Sequence, residues 1–403
     1  MSAQWKRPIM MVEEMAAKES WAAAAATAAI PFNRPYFCGR EIDYIREALA
    51  AGHISGDGSF TKRCEFLLAE ITGCRRALLT TSCTDALEMS ALLLGIGPGD
   101  EVIVPSFTFV STANAFALHG ARIVFCDIRR DTLNLDQTLL EQCITPQTRA
   151  IVPVHYAGVG CEMADIGSLA AAHDLAIVED NAHGLFGSYR GRRLGTFGCL
   201  ASLSFHETKN ITCGEGGALL INDPRYIERA EILREKGTNR SRFFRGQVDK
   251  YTWVDVGSSF LPSDILAAFL LAQLESRDAI QELRRGIWQR YQAELAAWAA
   301  EHHIRMPLIP AHCEQPYHMF YLLLPSAESR DALIAHLKGH GILSVFHYLP
   351  LHLSEVGRRH GGHDGQCPVT EDVSGRLVRL PFYNGLTDAD HARIIEAILE
   401  FRP

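Results

Sequence analysis

The chain has no CxxC pair, no GxxxxGK[ST] phosphate loop, no excess of basic residues and no long apolar run. Each absence removes a class of function. With 39 Lys and Arg against 47 Asp and Glu, the formal net charge is −8, so the electropositive footprint of a nucleic-acid binder is missing. A phosphate group on a small ligand is still compatible with that balance. The 11 cysteines are an odd number, scattered from Cys38 to Cys367, which fits neither a zinc ribbon nor a disulfide framework. They read as reduced thiols of a cytoplasmic protein. No segment approaches the roughly 20 apolar residues that span a bilayer. The alanine-rich stretch over residues 1–29 is interrupted by Glu13, Glu14, Lys18 and Glu19. It reads as a frayed helical extension rather than a signal peptide.

What is present is a large α/β pattern. A chain of 403 residues supports two domains, or a large one with a smaller appendage. Strand signals fall at 101–107, 122–128, 150–156, 175–180, 200–206 and 217–223. Helix-period segments such as SCTDALEMSALLLGI and MADIGSLAAAHDL lie among them. This alternation predicts a mostly parallel sheet with helices on both faces. From about residue 265 one long charged helix is expected, bridging to a small α+β unit. The expected division is therefore an extension over 1–29, a large domain over 30–275, and the bridging helix with a small domain over 276–403.

Three features bear on chemistry. LAIVEDNAHG ends a strand in Glu179 and Asp180, and acids at strand carboxyl ends face the ligand crevice of an open sheet. Either acid is equally explained as a helix cap. TTSCTDALEM places Ser82 and Thr84 at a helix start, where unpaired N–H groups and the dipole hold anions; such residues also cap helices without any ligand. In SFHETKNITCGEGG, Lys209 follows an apolar run and precedes Gly214, Gly216 and Gly217. A phosphate-loop lysine has its glycines ahead of it, so that reading fails. A surface lysine would have polar neighbours, whereas a partly buried one has a lowered pKa and an amine free to form a Schiff base. A strand-end acid for a pyridinium nitrogen, a helix start for a phosphate and a lysine for an aldehyde together meet the demands of pyridoxal phosphate (PLP).

The segments SGDGSFTKRCE, PSFTFVSTANAF, VPVHYAGVGCEM, SFHETKNIT, REKGTNRSRFFRGQVDKYTW and FHYLPLH resemble the DegT/DnrJ/EryC1/StrS nucleotide-sugar aminotransferases over roughly residues 30 to 400. They are most similar to the branch acting on dTDP-4-dehydro-6-deoxy-D-glucose, which includes the transaminase of enterobacterial common antigen synthesis and 4-aminotransferases of antibiotic sugar pathways. The resemblance implies a fold-type I aminotransferase with a large PLP-binding domain and a small C-terminal one.

It also implies roles. Lys209 matches the Schiff-base lysine, Asp180 the acid on the pyridine nitrogen, and His183 the residue near the cofactor's 3-oxygen. Phe109 matches the aromatic stacked on the ring; Cys83, Thr84 and Ser204 match the phosphate site. Ser259 stands where the family commonly has an asparagine reaching the phosphate from a partner subunit. Phe346, His347, Tyr348 and His352 match a segment bordering the sugar pocket. Lys236, Arg240, Arg242 and Arg245 lie in a basic loop offered to the diphosphate, although charge runs are usually solvated.

The implied reaction moves an amino group from L-glutamate to C4 of the dTDP-keto-deoxysugar in a homodimer with shared active sites, without nucleic acid, metal or membrane. Either C4 epimer remains open. So do amination at C3 of a related keto sugar and, from another class, a non-catalytic PLP-binding sensor.

Overall fold

The computed structural model describes residues 29–403. All but Ala29 of the expected N-terminal extension lies outside them. The first helices among the described residues are α1 (Glu41–Ala50) and α2 (Ser59–Thr72). The central sheet is built from β1 (Arg76–Thr80), β2 (Glu101–Pro105), β3 (Arg122–Cys126), β4 (Thr148–Ile151), β5 (Ala176–Asp180), β6 (Leu200–Ser204) and β7 (Gly217–Ile221). Its order is β1-β7-β6-β5-β4-β2-β3. β7 runs antiparallel to both its neighbours, and all other pairings are parallel.

Every expected strand is present. β1 was not foreseen, because RALLT carries no β-branched residue until its last position.

Side chains alternate across the sheet, so consecutive residues enter different layers. Leu78, Val102 and Leu219 join the core beneath α3 (Cys83–Leu94) and α4 (Val110–Ala117). Leu79, Leu203 and Leu220 join one with residues of α1 and α2. Helices therefore cover both faces, and each fully buried leucine contributes roughly 1.5–3 kcal/mol.

The long helix expected from residue 265 is two helices, α5 (Asp264–Glu275) and α6 (Arg277–Glu301). Apolar periodicity runs through the junction, but the two halves serve different cores. The N–H of Ser276 turns back to the carbonyls of Ala272 and Gln273. Leu270, Leu271 and Leu274 of α5 pack in the core with α1 and α2, whereas Ile287, Trp288, Tyr291, Leu295 and Trp298 of α6 build a second core.

That second core backs a three-stranded antiparallel sheet of β8 (Tyr321–Leu323), β9 (Val345–Phe346) and β10 (Leu377–Arg379), with β10 central. Helices α7 (Ala327–Gly339) and α8 (Asp388–Glu400) complete it.

Candidate active site

The carboxyl ends of β1, β2, β5 and β6 open into one cavity of about 470 Å³, within the range of small-molecule sites. Asp180 is the last residue of β5 and Ser204 the last of β6. The α3 N-terminus follows β1, and Phe109 caps α4 after β2. The parallel order alone brings these chain-distant residues to one edge.

The acids that end β5 have different tasks. Glu179 is fully buried and accepts from the backbone N–H groups of Gly195, Phe197 and Gly198 at 2.8, 2.6 and 2.7 Å. His155 Nε2 donates to it at 2.9 Å, because His155 Nδ1 already accepts from the Cys161 N–H. Glu179 is a structural anchor with every lone pair spoken for.

Asp180 faces the cavity. Its Oδ2 accepts from Thr112 Oγ1 at 2.7 Å and its Oδ1 from the Ala182 N–H at 3.2 Å.

Lys209 lines the same cavity. Burial pulls its amine down from 10.5 to about 8, with the Arg379 charge adding and with Cys83 and Asp180 opposing. At pH 7 about a tenth of it is neutral, roughly 300-fold more than for an ordinary lysine.

His183 is buried, and its Nδ1 has no hydrogen-bond partner among the described residues. Desolvation, then the Lys209 and Arg379 charges, keep it neutral. It stacks on His318 at 4.3 Å. His318 Nδ1 donates to Asn210 Oδ1 at 2.8 Å, since the Asn210 amide N–H is spent on the Pro316 carbonyl.

At the α3 end of the cavity, Ser82 caps the helix by accepting from the Asp85 N–H at 3.0 Å. The N–H groups of Cys83 and Thr84 are left without intrahelical acceptors. Thr84 Oγ1 donates to Ser111 Oγ at 2.8 Å, and Ser204 lies alongside in the lining. Gly217 opens β7, at the start of the strand signal over 217–223. A Cβ there would lie 2.3 Å from the Ser82 carbonyl carbon and 2.4 Å from the Cys83 nitrogen. Gly214, at φ +86°, supplies the turn.

Nine of the residues to which the family resemblance gives a role share the cavity: Cys83, Thr84, Phe109, Asp180, His183, Ser204, Lys209, His347 and Tyr348. Phe109 is 58% exposed, its ring 6.4 Å from that of Tyr348.

His352 sits in the short turn Leu351–Leu353, fully buried, with Nδ1 2.6 Å from Ser106 Oγ and Nε2 3.0 Å from Glu371. Both ring nitrogens are occupied away from the cavity.

Arg240, Arg242 and Arg245 do not line the cavity of their own chain; they meet Glu235, Glu228 and Glu231 at 3.9, 3.2 and 2.7 Å. Ser259 is exposed, bridging Glu235 outside this cavity.

Sequence reasoning missed Thr112, which donates to Asp180, and His318 and Arg379, which line the cavity. Arg379 had a readable signal, a cation inside the apolar alternation RLVRLP.

A lysine of lowered basicity, a strand-end aspartate and a helix N-terminus, set on a seven-stranded sheet of this order, define the fold-type I architecture of PLP-dependent aminotransferases. The profile of the DegT/DnrJ/EryC1/StrS aminotransferase family matches residues 37–399, and the chain belongs to that family of transferases.

Among solved structures, the aminotransferase TlmJ from Streptoalloteichus hindustanus is 32% identical, covering 92% of this chain and 97% of its own, with a TM-score of 0.84. DesV from S. venezuelae is 31% identical over 94% and 100%, with a TM-score of 0.85. The PLP form of the sugar aminotransferase Spr1654 from Streptococcus pneumoniae is 29% identical over 91% and 97%, with a TM-score of 0.83. The same protein is also known in a PMP form.

Proposed function

We propose that this protein uses PLP to transfer the amino group of L-glutamate to C4 of dTDP-4-dehydro-6-deoxy-D-glucose, working as a homodimer. The observation that carries the reading is the Lys209 amine, lowered to about 8 in the cavity that Asp180 and His183 also line. The resemblance of the sequence to the 4-aminotransferase branch supports the choice of sugar.

The lining residues fit the cofactor. The unpartnered His183 Nδ1 suits its 3-oxygen, and Asp180 its ring nitrogen. Phe109 offers a ring face, and Thr84, Ser204 and the α3 N-terminus suit a phosphate. Ser259, exposed on its own chain, is available to a neighbouring subunit.

When bound, PLP supplies an electron sink for the pair left when a C–H bond breaks. The remaining steps belong to the protein. Asp180, oriented by Thr112, which itself lies 2.8 Å from Thr108, keeps the ring nitrogen protonated. Lys209 Nζ, neutral often enough to accept a proton at pH 7, removes it from the donor's α-carbon and later returns one to C4 of the sugar. Over the cycle glutamate leaves as 2-oxoglutarate and the keto carbon leaves as an amine. Water consumed in the first half is regained in the second.

The test is incubation with the keto sugar and L-glutamate, with the product's C4 configuration read by NMR. An amine at C4 of either configuration is the expected result. Amination at C3, or cofactor binding without any turnover, would each refute the assignment.

A further inference from the structure

We propose that His336, His340 and Glu400 form a binding site for a divalent transition-metal ion of the Zn²⁺ class. Two helices of the small domain supply it. His336 lies in the last turn of α7 and His340 directly follows that helix, one turn on, with the two ring centroids 4.5 Å apart. Glu400 is the last residue of α8. Candidate ligand atoms of the three side chains lie within 4.8 Å of one another. None of the three lines the cavity that holds Lys209, so the ion takes no part in the reaction proposed above and either reading can fail alone.

The hydrogen bonds fix which nitrogens are available. His336 Nε2 lies 2.8 Å from the Ala397 carbonyl, and His340 Nδ1 lies 2.9 Å from the carbonyl of His336. A carbonyl only accepts, so each of those nitrogens carries the proton and the neutral ring keeps its lone pair on the other one. Ligating histidines are commonly held this way, with the far N–H donated to a backbone carbonyl. The lone pair of His340 is therefore on Nε2, 3.6 Å from Glu400 Oε2. That separation is long for a hydrogen bond. It is close to the roughly 3.3 Å between two donors on one tetrahedral zinc with bonds of about 2.0 Å.

The frame that carries these donors is held from inside. Leu337 of α7 and Ile394, Ile395 and Ile398 of α8 are buried in the second core. Beyond Glu400, the Phe401 carbonyl accepts from Trp298 Nε1 at 3.1 Å, and the Phe401 ring lies 5.4 Å from that of His336. The backbone on both sides of Glu400 is thus anchored. Only the exposed ends of His340 and Glu400 have to move to close around an ion.

Charge and donor type select that ion. The surface hollow at this place is lined by Lys338 and Arg393 as well as by Glu396, Glu400 and His340. With neutral histidine, two formal positive charges offset two negative ones. A hard cation such as Ca²⁺ or Mg²⁺, which needs a shell of oxygens, meets one ligating carboxylate and no net negative charge. Two imidazole nitrogens and a carboxylate suit Zn²⁺ and its neighbours in the first transition row. Water completes the coordination.

The experiment is equilibrium dialysis of the purified full-length protein against ZnCl₂, with bound zinc counted per chain by elemental analysis. Wild type is expected to hold one equivalent that a large excess of Ca²⁺ or Mg²⁺ does not displace. That arm is independent of how any variant folds. His340→Ala and Glu400→Gln should each weaken the equivalent by about 10-fold or more. His363→Ala, which removes an exposed histidine outside the cluster, should leave it intact.

No bound equivalent in wild type, or its displacement by Ca²⁺ or Mg²⁺, would overturn the proposal. So would unchanged affinity in either His340→Ala or Glu400→Gln, or an equal loss in His363→Ala. Zinc held only as several weak equivalents that no single substitution removes would reduce the cluster to adventitious surface binding.

Discussion

Replacing Lys209 by methionine should make the cofactor-free protein more stable at pH 7. The amine titrates at about 8 in the folded chain against an ordinary 10.5. At pH 7 folding therefore holds a protonated amine in surroundings that disfavour it by about 3 kcal/mol. The opposing pulls of Cys83 and Asp180 are already within that value.

Below pH 8 both states are protonated and the full penalty applies. Between 8 and 10.5 the folded amine has lost its proton while the unfolded one keeps it, so the penalty shrinks, to below about 1 kcal/mol at pH 10. Methionine has similar length and no charge to desolvate, so it recovers the penalty and nothing more. Urea unfolding of cofactor-free wild type and Lys209→Met at pH 7 and pH 10, at one protein concentration, measures the gap. A less stable variant at pH 7, or a gap that does not narrow by pH 10, would refute the reasoning.

Other outcomes follow from the same geometry. Asp180→Asn keeps the oxygen that accepts from Thr112 but loses the charge beside the ring nitrogen. It should retain cofactor by absorbance and lose about 100-fold or more in kcat; a wild-type rate would reduce Asp180 to a cap. Gly217→Ala drives a Cβ into the Ser82–Cys83 backbone, which no rotamer change relieves. A loss of about 1–3 kcal/mol in urea unfolding and weaker PLP affinity in titration are expected, and unchanged affinity would argue against the α3 N-terminus as the phosphate site.

Much of the site was legible because local chemistry announces it. The order of Lys209 and its following glycines ruled out a phosphate loop, and the apolar run before Asp180 marked a buried strand ending in an acid. The family resemblance then supplied a role for each. Legibility failed where the outcome depended on a second element. His347 and His352 lie five positions apart in one segment, and nothing local says that one meets Arg379 while the other is held between Ser106 and Glu371. The division of one amphipathic pattern at Ser276 likewise depends on two separate cores pulling its halves apart.

By itself, then, the sequence determined the α/β class and, β1 excepted, the strands that carry the site, since periodicity and residue order act over a few positions. Only the tertiary structure decided the charge state of Lys209 and brought Arg379 into the same cavity. Desolvation exists only once distant parts of the chain close around the same space.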